Sequence, residues 1–169
     1  MFAAGTFHET FAHSTSAHDM AEHLATHYGE LRQAAEIVDP QCVTLVVDEG
    51  DVLAAYAQVR QGIAPDCVRR ADSRELWRFY VDKALHGSGI AQRLMMACVA
   101  AATELGGSGL WLSVWEHNDR ALVFYRKVGF VEVGSAPFWL GADRQTDRIL
   151  LLEVDTPGSE RRVAPAVSG

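Results

Sequence analysis

The 169-residue sequence predicts an α/β fold with a mixed sheet, and three observations carry that reading. Helical periodicity over residues 17–38 gives way to β-rich runs after Asp39-Pro40. The strand-like run "ELWRFYV" then leads into the glycine cluster "HGSG" and a long alanine-rich helix, followed by the strand "LWLSV" and a second helix. Strand, helix, strand, helix is a crossover unit, which sets its two strands parallel with the glycine-led helix packed on one face. Two more β-rich runs close the chain.

Met20, Leu24, Tyr28 and Leu31 recur at helical spacing, and Gly29 is the break between two helices. "CVTLVVDEGDVLAAYAQVR" reads as two strands, 42–48 and 52–60, joined by an acidic turn, Asp48 to Asp51, that contains Gly50. A short turn between two β-rich runs is a hairpin signal, so the sheet is at least partly antiparallel. After the loop "QGIAPDCVRRADS", residues 75–81 form the third strand. Ile90, Leu94, Cys98 and Ala101 to Leu105 mark the buried face of the long helix, which Gly106-Gly107 stop. Residues 110–114 are a short apolar strand, and "NDRALVFYRKVGF" is a helix capped by Asn118 and ended by Gly129. "FVEVGSAPFWL" and "DRILLLEV" complete a unit expected to span 1–155. The segment 156–169 is polar, proline-containing and aperiodic, and is expected to be a disordered tail.

The composition, 49% hydrophobic and 22% charged, is that of an ordinary globular chain. With 15 Lys and Arg against 22 Asp and Glu the net charge is -7, so there is no excess of cations to neutralise phosphates and nucleic acid is not an expected partner. A cationic partner suits the balance better. No apolar run approaches the roughly 20 residues that cross a bilayer, and "MFAAGTFHETFAHS" lacks the basic flank and apolar stretch of a secretory signal. No membrane partner is expected, and the cytoplasm is the expected compartment. Cys42, Cys67 and Cys98 are widely spaced and form no CxxC pair, which points to reduced thiols.

The glycine cluster lies where a strand meets a helix. There the free N–H groups of the first helical turn and the positive end of its dipole face the loop, and an anion fits. Gly87 and Gly89 remove the Cβ atoms that would hold a phosphate away from the amides, and Ser88 offers a hydroxyl donor. A tight turn with no ligand is the plain structural alternative. Neither GxxxxGK[ST] nor GxGxxG is present, since Lys83 precedes the glycines and Arg93 stands where the third glycine would be.

"HGSGIA" followed about 30 residues later by "WEHNDRALVFYRKVGF" resembles the GCN5-related N-acetyltransferase (GNAT) superfamily. Its pyrophosphate loop, Arg/Gln-x-x-Gly-x-Gly/Ala, falls on His86, Gly87, Ser88, Gly89, Ile90 and Ala91, with His86 replacing the usual arginine or glutamine. Its later segment, Asn-x-x-Ala-x-x-x-Tyr-x-x-x-Gly-Phe, is matched at Asn118, Ala121, Tyr125, Gly129 and Phe130. "ELWRFYV" and "FWLGADRQTDRILLLEV" look like the polyamine acetyltransferase branch. The resemblance implies an acyl-CoA N-acyltransferase fold, with a mostly antiparallel sheet splayed between the family's fourth and fifth strands. Its first strand is short or missing here.

The same resemblance implies acetyl transfer from acetyl-CoA to a primary amine by direct attack in a ternary complex. Main-chain groups of Phe79, Tyr80 and Val81 would hold the pantetheine arm like an added strand, with an amide near Val81 polarising the thioester carbonyl. Asn118 would contact the arm. Tyr125 would protonate the departing thiolate, because a phenol with a reference pKa of about 10 keeps its proton near neutrality. The acceptor arrives as an ammonium, so a base must take its proton. Strict strand alternation puts Glu75 on one face with Trp77, Phe79 and Val81, along the wall that carries the carbonyl contact. Glu75 is therefore the first candidate, with Glu116, His117 or a water chain as alternatives.

Other readings stay open. His23 and His27 are an i, i+4 pair beside Asp19, and His8, His13 and His18 lie near in sequence. Yet "HETFAH" is one residue too long for HExxH, and no metal is expected. A non-catalytic acyl-CoA sensor or interaction domain on the same fold is the alternative to an enzyme. Trp77, Trp111, Trp115 and Trp139 read as core or cleft wall, or as a cation-π lining for an amine. A small-molecule amine or polyamine is the favoured acceptor; a protein N-terminus, a lysine side chain and an amino sugar remain open, as does a homodimer through the C-terminal strands.

Overall fold

The computed structural model describes Phe2, Gly5, Thr6 and residues 16–50, 52–140 and 143–154. The expected 156–169 tail lies outside these residues, and the expectation of a short or missing first strand falls largely on residues 7–15, also outside them.

The element order is α1 (Ala17–His27), α2 (Glu30–Val38), β1 (Cys42–Glu49), β2 (Val52–Arg60), β3 (Ser73–Val81), a 3-10 turn (Lys83–Leu85), α3 (Ile90–Glu104), β4 (Gly109–Trp115), α4 (Asp119–Lys127), β5 (Val131–Leu140) and β6 (Asp143–Glu153). Ser16 caps α1 by accepting the Asp19 amide at 3.1 Å, and Gly29 separates α1 from α2 as read from the sequence. Leu31 is not on a buried face, however: it is 89% exposed, and α2 buries no residue fully. What turns inward from α2 is Glu36, whose carboxylate reaches the buried guanidinium of Arg78 at 3.1 Å. An ion pair and the bond from Gln33 Nε2 to the Tyr28 carbonyl, 2.6 Å, hold this helix rather than an apolar stripe.

The six strands run in the order β1-β2-β3-β4-β6-β5. All neighbours are antiparallel except β3 and β4, which are parallel over only three pairs, Ser73↔Gly109, Arg74↔Leu110 and Glu75↔Trp111. Past Glu75 the two strands part, while β4 stays paired with β6 from Gly109↔Glu153 to Trp115↔Asp147. The far half of β3 and the far half of β4 therefore each leave one main-chain edge open. This is the splay that the resemblance implied, between the third and fourth strands of the described chain.

A bulge in β3 decides which side chains meet. Val59 pairs with Leu76 and Gln58 with Arg78, so Trp77 has no partner in β2. Inserting one residue shifts the alternation, since side chains reverse face at every step. Glu75 thus shares its face with Arg78 and Tyr80, while Leu76, Phe79 and Val81 point to the other. The reading that puts Glu75, Trp77, Phe79 and Val81 on one face fails for that reason.

The main core lies on the Phe79 face. Ile90, Leu94 and Cys98 of α3 meet Ala55, Ala57 and Val59 of β2, and Leu122 and Tyr125 of α4 join the same cluster with Leu112 and Leu150. Ile90 and Leu94 are 2% exposed, and burying side chains of this size stabilises the fold by about 1.5–3 kcal/mol each. On the opposite face Met20 of α1 and Tyr28, at its C-terminal cap, pack against Tyr56. No helix among the described residues is long and apolar enough to cross a membrane.

Candidate active site

Where β3 and β4 part, a cleft of about 940 Å³ opens between the sheet halves. Its α3 side is lined by Leu85, His86, Gly87, Gly89, Asn118 and Tyr125; its α1 side by Tyr28, Glu75, Ser113, Trp115, Phe138 and Asp147. The cleft thus joins the two faces of the sheet.

On the α3 side, Gly89 is the N-cap of the helix at φ +87°, and Gly87 also has φ +87°. A Cβ built on either would meet nothing within 4 Å, so both glycines border open space rather than a packed neighbour. Both torsions belong to the left-handed region that side chains disfavour. A strand-to-helix loop of this form, with bare backbone next to the helix's first amides, fits a phosphate group. Ser88 behaves differently from its expected role: its hydroxyl donates to the Leu85 carbonyl at 2.6 Å and braces the loop. His86 is braced as well, with Nε2 3.2 Å from the Val81 carbonyl oxygen. Desolvation, then the charge of Arg120, lowers the His86 pKa, so the imidazole serves as a neutral tie between loop and strand. Ile90 is buried in the core, and its amide is 3.4 Å from Ser88 Oγ; Ala91 lines the cleft.

The edge of β3 can be assigned from its pairing. Asp82 donates its amide to Ala54 at 2.9 Å, and Tyr80 pairs with Tyr56 two residues back. Bonding pairs alternate in an antiparallel ladder, so the main chain of Tyr80 turns toward β2, and that of Phe79 and Val81 turns toward the cleft. Of the three expected main-chain contacts, Tyr80 is therefore excluded. Its phenol instead lies 2.6 Å from the Tyr28 hydroxyl, on the α1 side.

Tyr125 projects from α4 into the cleft wall, with its ring edge-on to Phe79 at 6.2 Å and to Phe130 at 5.5 Å. Burial, then proximity to Cys98, raises its pKa, which keeps the phenol protonated. Asn118 lines the cleft and caps α4, its Oδ1 accepting the Ala121 amide at 3.2 Å, so cap and cleft positions coincide. Arg120 and Lys83, which sequence reasoning left out, add cations to the wall near the glycine loop.

The candidate bases fare unequally. Glu75 lines the cleft, but its Oε2 accepts from Arg60 Nε at 2.6 Å, and the Arg60 guanidinium lies 3.5 Å over the Trp77 ring. Glu116 is paired with Arg148 at 3.1 Å and is not among the residues lining the cleft; neither is His117, whose ring packs edge-on to Trp115 at 5.3 Å. His23 and His27 of α1 line the cleft with ring centroids 4.4 Å apart. Desolvation, then the charges of His27 and Arg78, lower the His23 pKa to about 4, and His27 is shifted the same way, again chiefly by desolvation. Among the described residues, no group of three His, Cys, Asp or Glu side chains is arranged to hold a metal.

The comparisons with known proteins agree with this geometry. The family model described as acetyltransferase (GNAT) family matches residues 7–130. An uncharacterized N-acetyltransferase of Lactobacillus delbrueckii subsp. lactis is 31% identical over 145 residues, covering 86% of this chain and 84% of that one. An uncharacterized N-acetyltransferase of Mycobacterium bovis is 29% identical over 152 residues, covering 90% of this chain and 93% of its own. The crystal structure of the PaiA N-acetyltransferase from Thermoplasma acidophilum, in complex with coenzyme A, has a TM-score of 0.71 at 19% identity, covering 90% of this chain and 88% of that one, a likeness of fold. On the family match, on these relatives and on the cleft that opens between β3 and β4, the chain belongs to the acetyltransferase (GNAT) family and is an N-acetyltransferase.

Proposed function

We propose that this chain moves an acetyl group from acetyl-CoA to a primary amine, with the acetyl donor entering from the α3 side and the acceptor from the α1 side. The observation that carries the reading is the single cleft joining a glycine-lined helix start and an open strand edge to a polar, aromatic wall on the other face. The thioester supplies an activated carbonyl; the chain supplies position and protons.

The amides at the start of α3 and the cations of Arg120 and Lys83 receive the pyrophosphate. The Phe79 main chain and the Val81 amide pair with the pantetheine arm as an extra strand. The Val81 amide, aimed into the parted region, donates to the acetyl oxygen as charge develops on it. Tyr125, kept protonated by burial, gives its proton to the leaving sulfur. Each role is local, so each can be removed singly.

The test is release of free coenzyme A from acetyl-CoA with a panel of amines, combined with mass detection of the acetylated product. Thiol release that depends on the amine and saturates with it is the expected result. Binding of coenzyme A without amine-dependent release from any panel member would contradict transfer.

A further inference from the structure

We propose that Asp147, held in place by Ser113, receives the acceptor's ammonium group and takes its proton, so that the acceptor is an alkylamine that enters the cleft as a cation. This inference rests on the acetyl-transfer reading and names the acceptor chemistry of the same cleft.

Glu75 and Asp147 are the carboxylates among the residues lining the cleft, Glu116 directly follows β4, and the three differ in what they already hold. Glu75 is bonded to Arg60 and Glu116 to Arg148. Asp147 has no cation partner among the described residues. It lies opposite Trp115 in the β4–β6 ladder, and its Oδ2 accepts a hydrogen bond from Ser113 Oγ. Ser113 and Asp147 both line the cleft, on the sheet face that bears Glu75 and Tyr80 rather than the face packed by α3. Asp147 therefore stands across the parted strands from the coenzyme side, where the acceptor must approach.

The surroundings suit an ammonium group. Trp115, opposite Asp147 in the ladder, and Phe138, on the same face of β5, line this side of the cleft with Tyr28, whose ring already carries the Arg78 guanidinium at 4.5 Å; aromatic walls of this kind attract a cation. The charged and titratable neighbours are few. Glu116 sits at the end of β4 with its charge answered by Arg148, which also pairs with Glu132 at the start of β5. Across the cleft, α1 offers His23 and His27, both shifted toward the neutral form, and β3 offers Glu75 with Arg60, and Arg78 with Glu36. At the register position next to Asp147, β5 contributes only Ala136. Burial raises the Asp147 pKa, the Ser113 hydrogen bond opposes that, and Glu116 adds to it. A half-buried carboxylate with one hydroxyl partner is a place where an incoming cation restores lost solvation.

The proton accounting is closed. The ammonium gives one proton to the Asp147 carboxylate, leaving a neutral amine whose lone pair attacks the thioester carbon. The C–N bond forms and the C–S bond breaks; the thiolate takes the proton of Tyr125, and the phenolate recovers one from the new amide nitrogen. Asp147 then releases its proton to water.

The experiment is a comparison of wild type, Asp147→Asn and Ser113→Ala with spermidine, cadaverine and benzylamine as acceptors, by kcat/KM against pH and by calorimetric titration of each amine into the coenzyme A complex. Asp147→Asn is expected to lower kcat/KM by about 10²-fold, as loss of a positioned base does, with coenzyme A binding unchanged and the acid limb of the profile gone. Ser113→Ala is a positioning variant: losing a bond that favours the carboxylate shifts the acid limb to higher pH. A raised native pKa means the folded state binds the extra proton, so stability falls as pH rises through that pKa; Asp147→Asn should therefore unfold at a higher temperature than wild type at neutral pH. Unchanged kcat/KM and pH profile in Asp147→Asn would overturn the assignment, as would failure of all three amines to bind or react while coenzyme A binds. Failure of wild type to bind coenzyme A would instead count against the acetyl-transfer reading itself.

Discussion

Arg60 Nε lies 2.6 Å from Glu75 Oε2, at the point where β3 and β4 stop pairing, and the same guanidinium covers the Trp77 ring at 3.5 Å. A carboxylate tied to a fixed cation at the root of the cleft holds the bulged strand in shape. Glu75→Gln is expected to lower unfolding stability by about 1–2 kcal/mol, the worth of a partly buried hydrogen bond to a charged group, with a smaller effect on kcat. Denaturant melts and steady-state kinetics on one preparation check this. Intact stability with collapsed turnover below the amine's pKa would return Glu75 to the role of base.

Tyr125→Phe keeps the ring that packs on Phe79 and Phe130 and removes only the hydroxyl. Since no hydrogen bond joins that hydroxyl to another described residue, the fold should hold its stability. The kcat is expected to fall about 10²-fold, the lower range for loss of a general acid, with the Kd for coenzyme A unchanged. Stopped assays with saturating acetyl-CoA measure it.

Gly89→Ala tests the cradle. The backbone there is at φ +87°, so a side chain costs about 1–2 kcal/mol of stability from torsion alone, and the added methyl faces open space rather than protein. The methyl would stand where a phosphate approaches. Calorimetry should show coenzyme A binding weakened well beyond the stability loss; equal affinity would mean that the loop is an ordinary turn.

Arg120→Ala is expected to raise the Kd for coenzyme A about tenfold, as removal of a charged phosphate contact does, and to flatten its salt dependence. It should also raise the pKa of His86, because the Arg120 charge is the second cause that lowers it. A titration of the His86 ring by NMR reads that shift directly.

Much of the fold was legible because its signals are local. The hairpin of β1 and β2, the glycine-led α3 with Ile90, Leu94 and Cys98 buried, and the Asn118 cap of α4 follow from spacing and turn chemistry. The glycine loop and Tyr125 were legible because they form contiguous motifs. What was not legible depends on register. Trp77 is an extra residue in β3 with no glycine or proline to mark it, so the face of Glu75 came out wrong. Main-chain alternation likewise separates Tyr80 from Phe79 and Val81, which sequence alone treats alike. Asp147 and Ser113 lie 34 residues apart and meet only because β6 inserts between β4 and β5. Leu31 misled because its helix is held by Glu36 and Gln33, whose polar side chains carry no periodic signal.

The most direct test of the account is thermal unfolding with and without acetyl-CoA, on wild type and Gly89→Glu. Acetyl-CoA at about 100 times its Kd should stabilise the wild-type fold by about 2.7 kcal/mol, and the glutamate, placing a side chain and a negative charge in the cradle, should abolish the shift. An unfolding temperature that does not move at millimolar acetyl-CoA would contradict the assignment of the α3 side of the cleft to the acetyl donor.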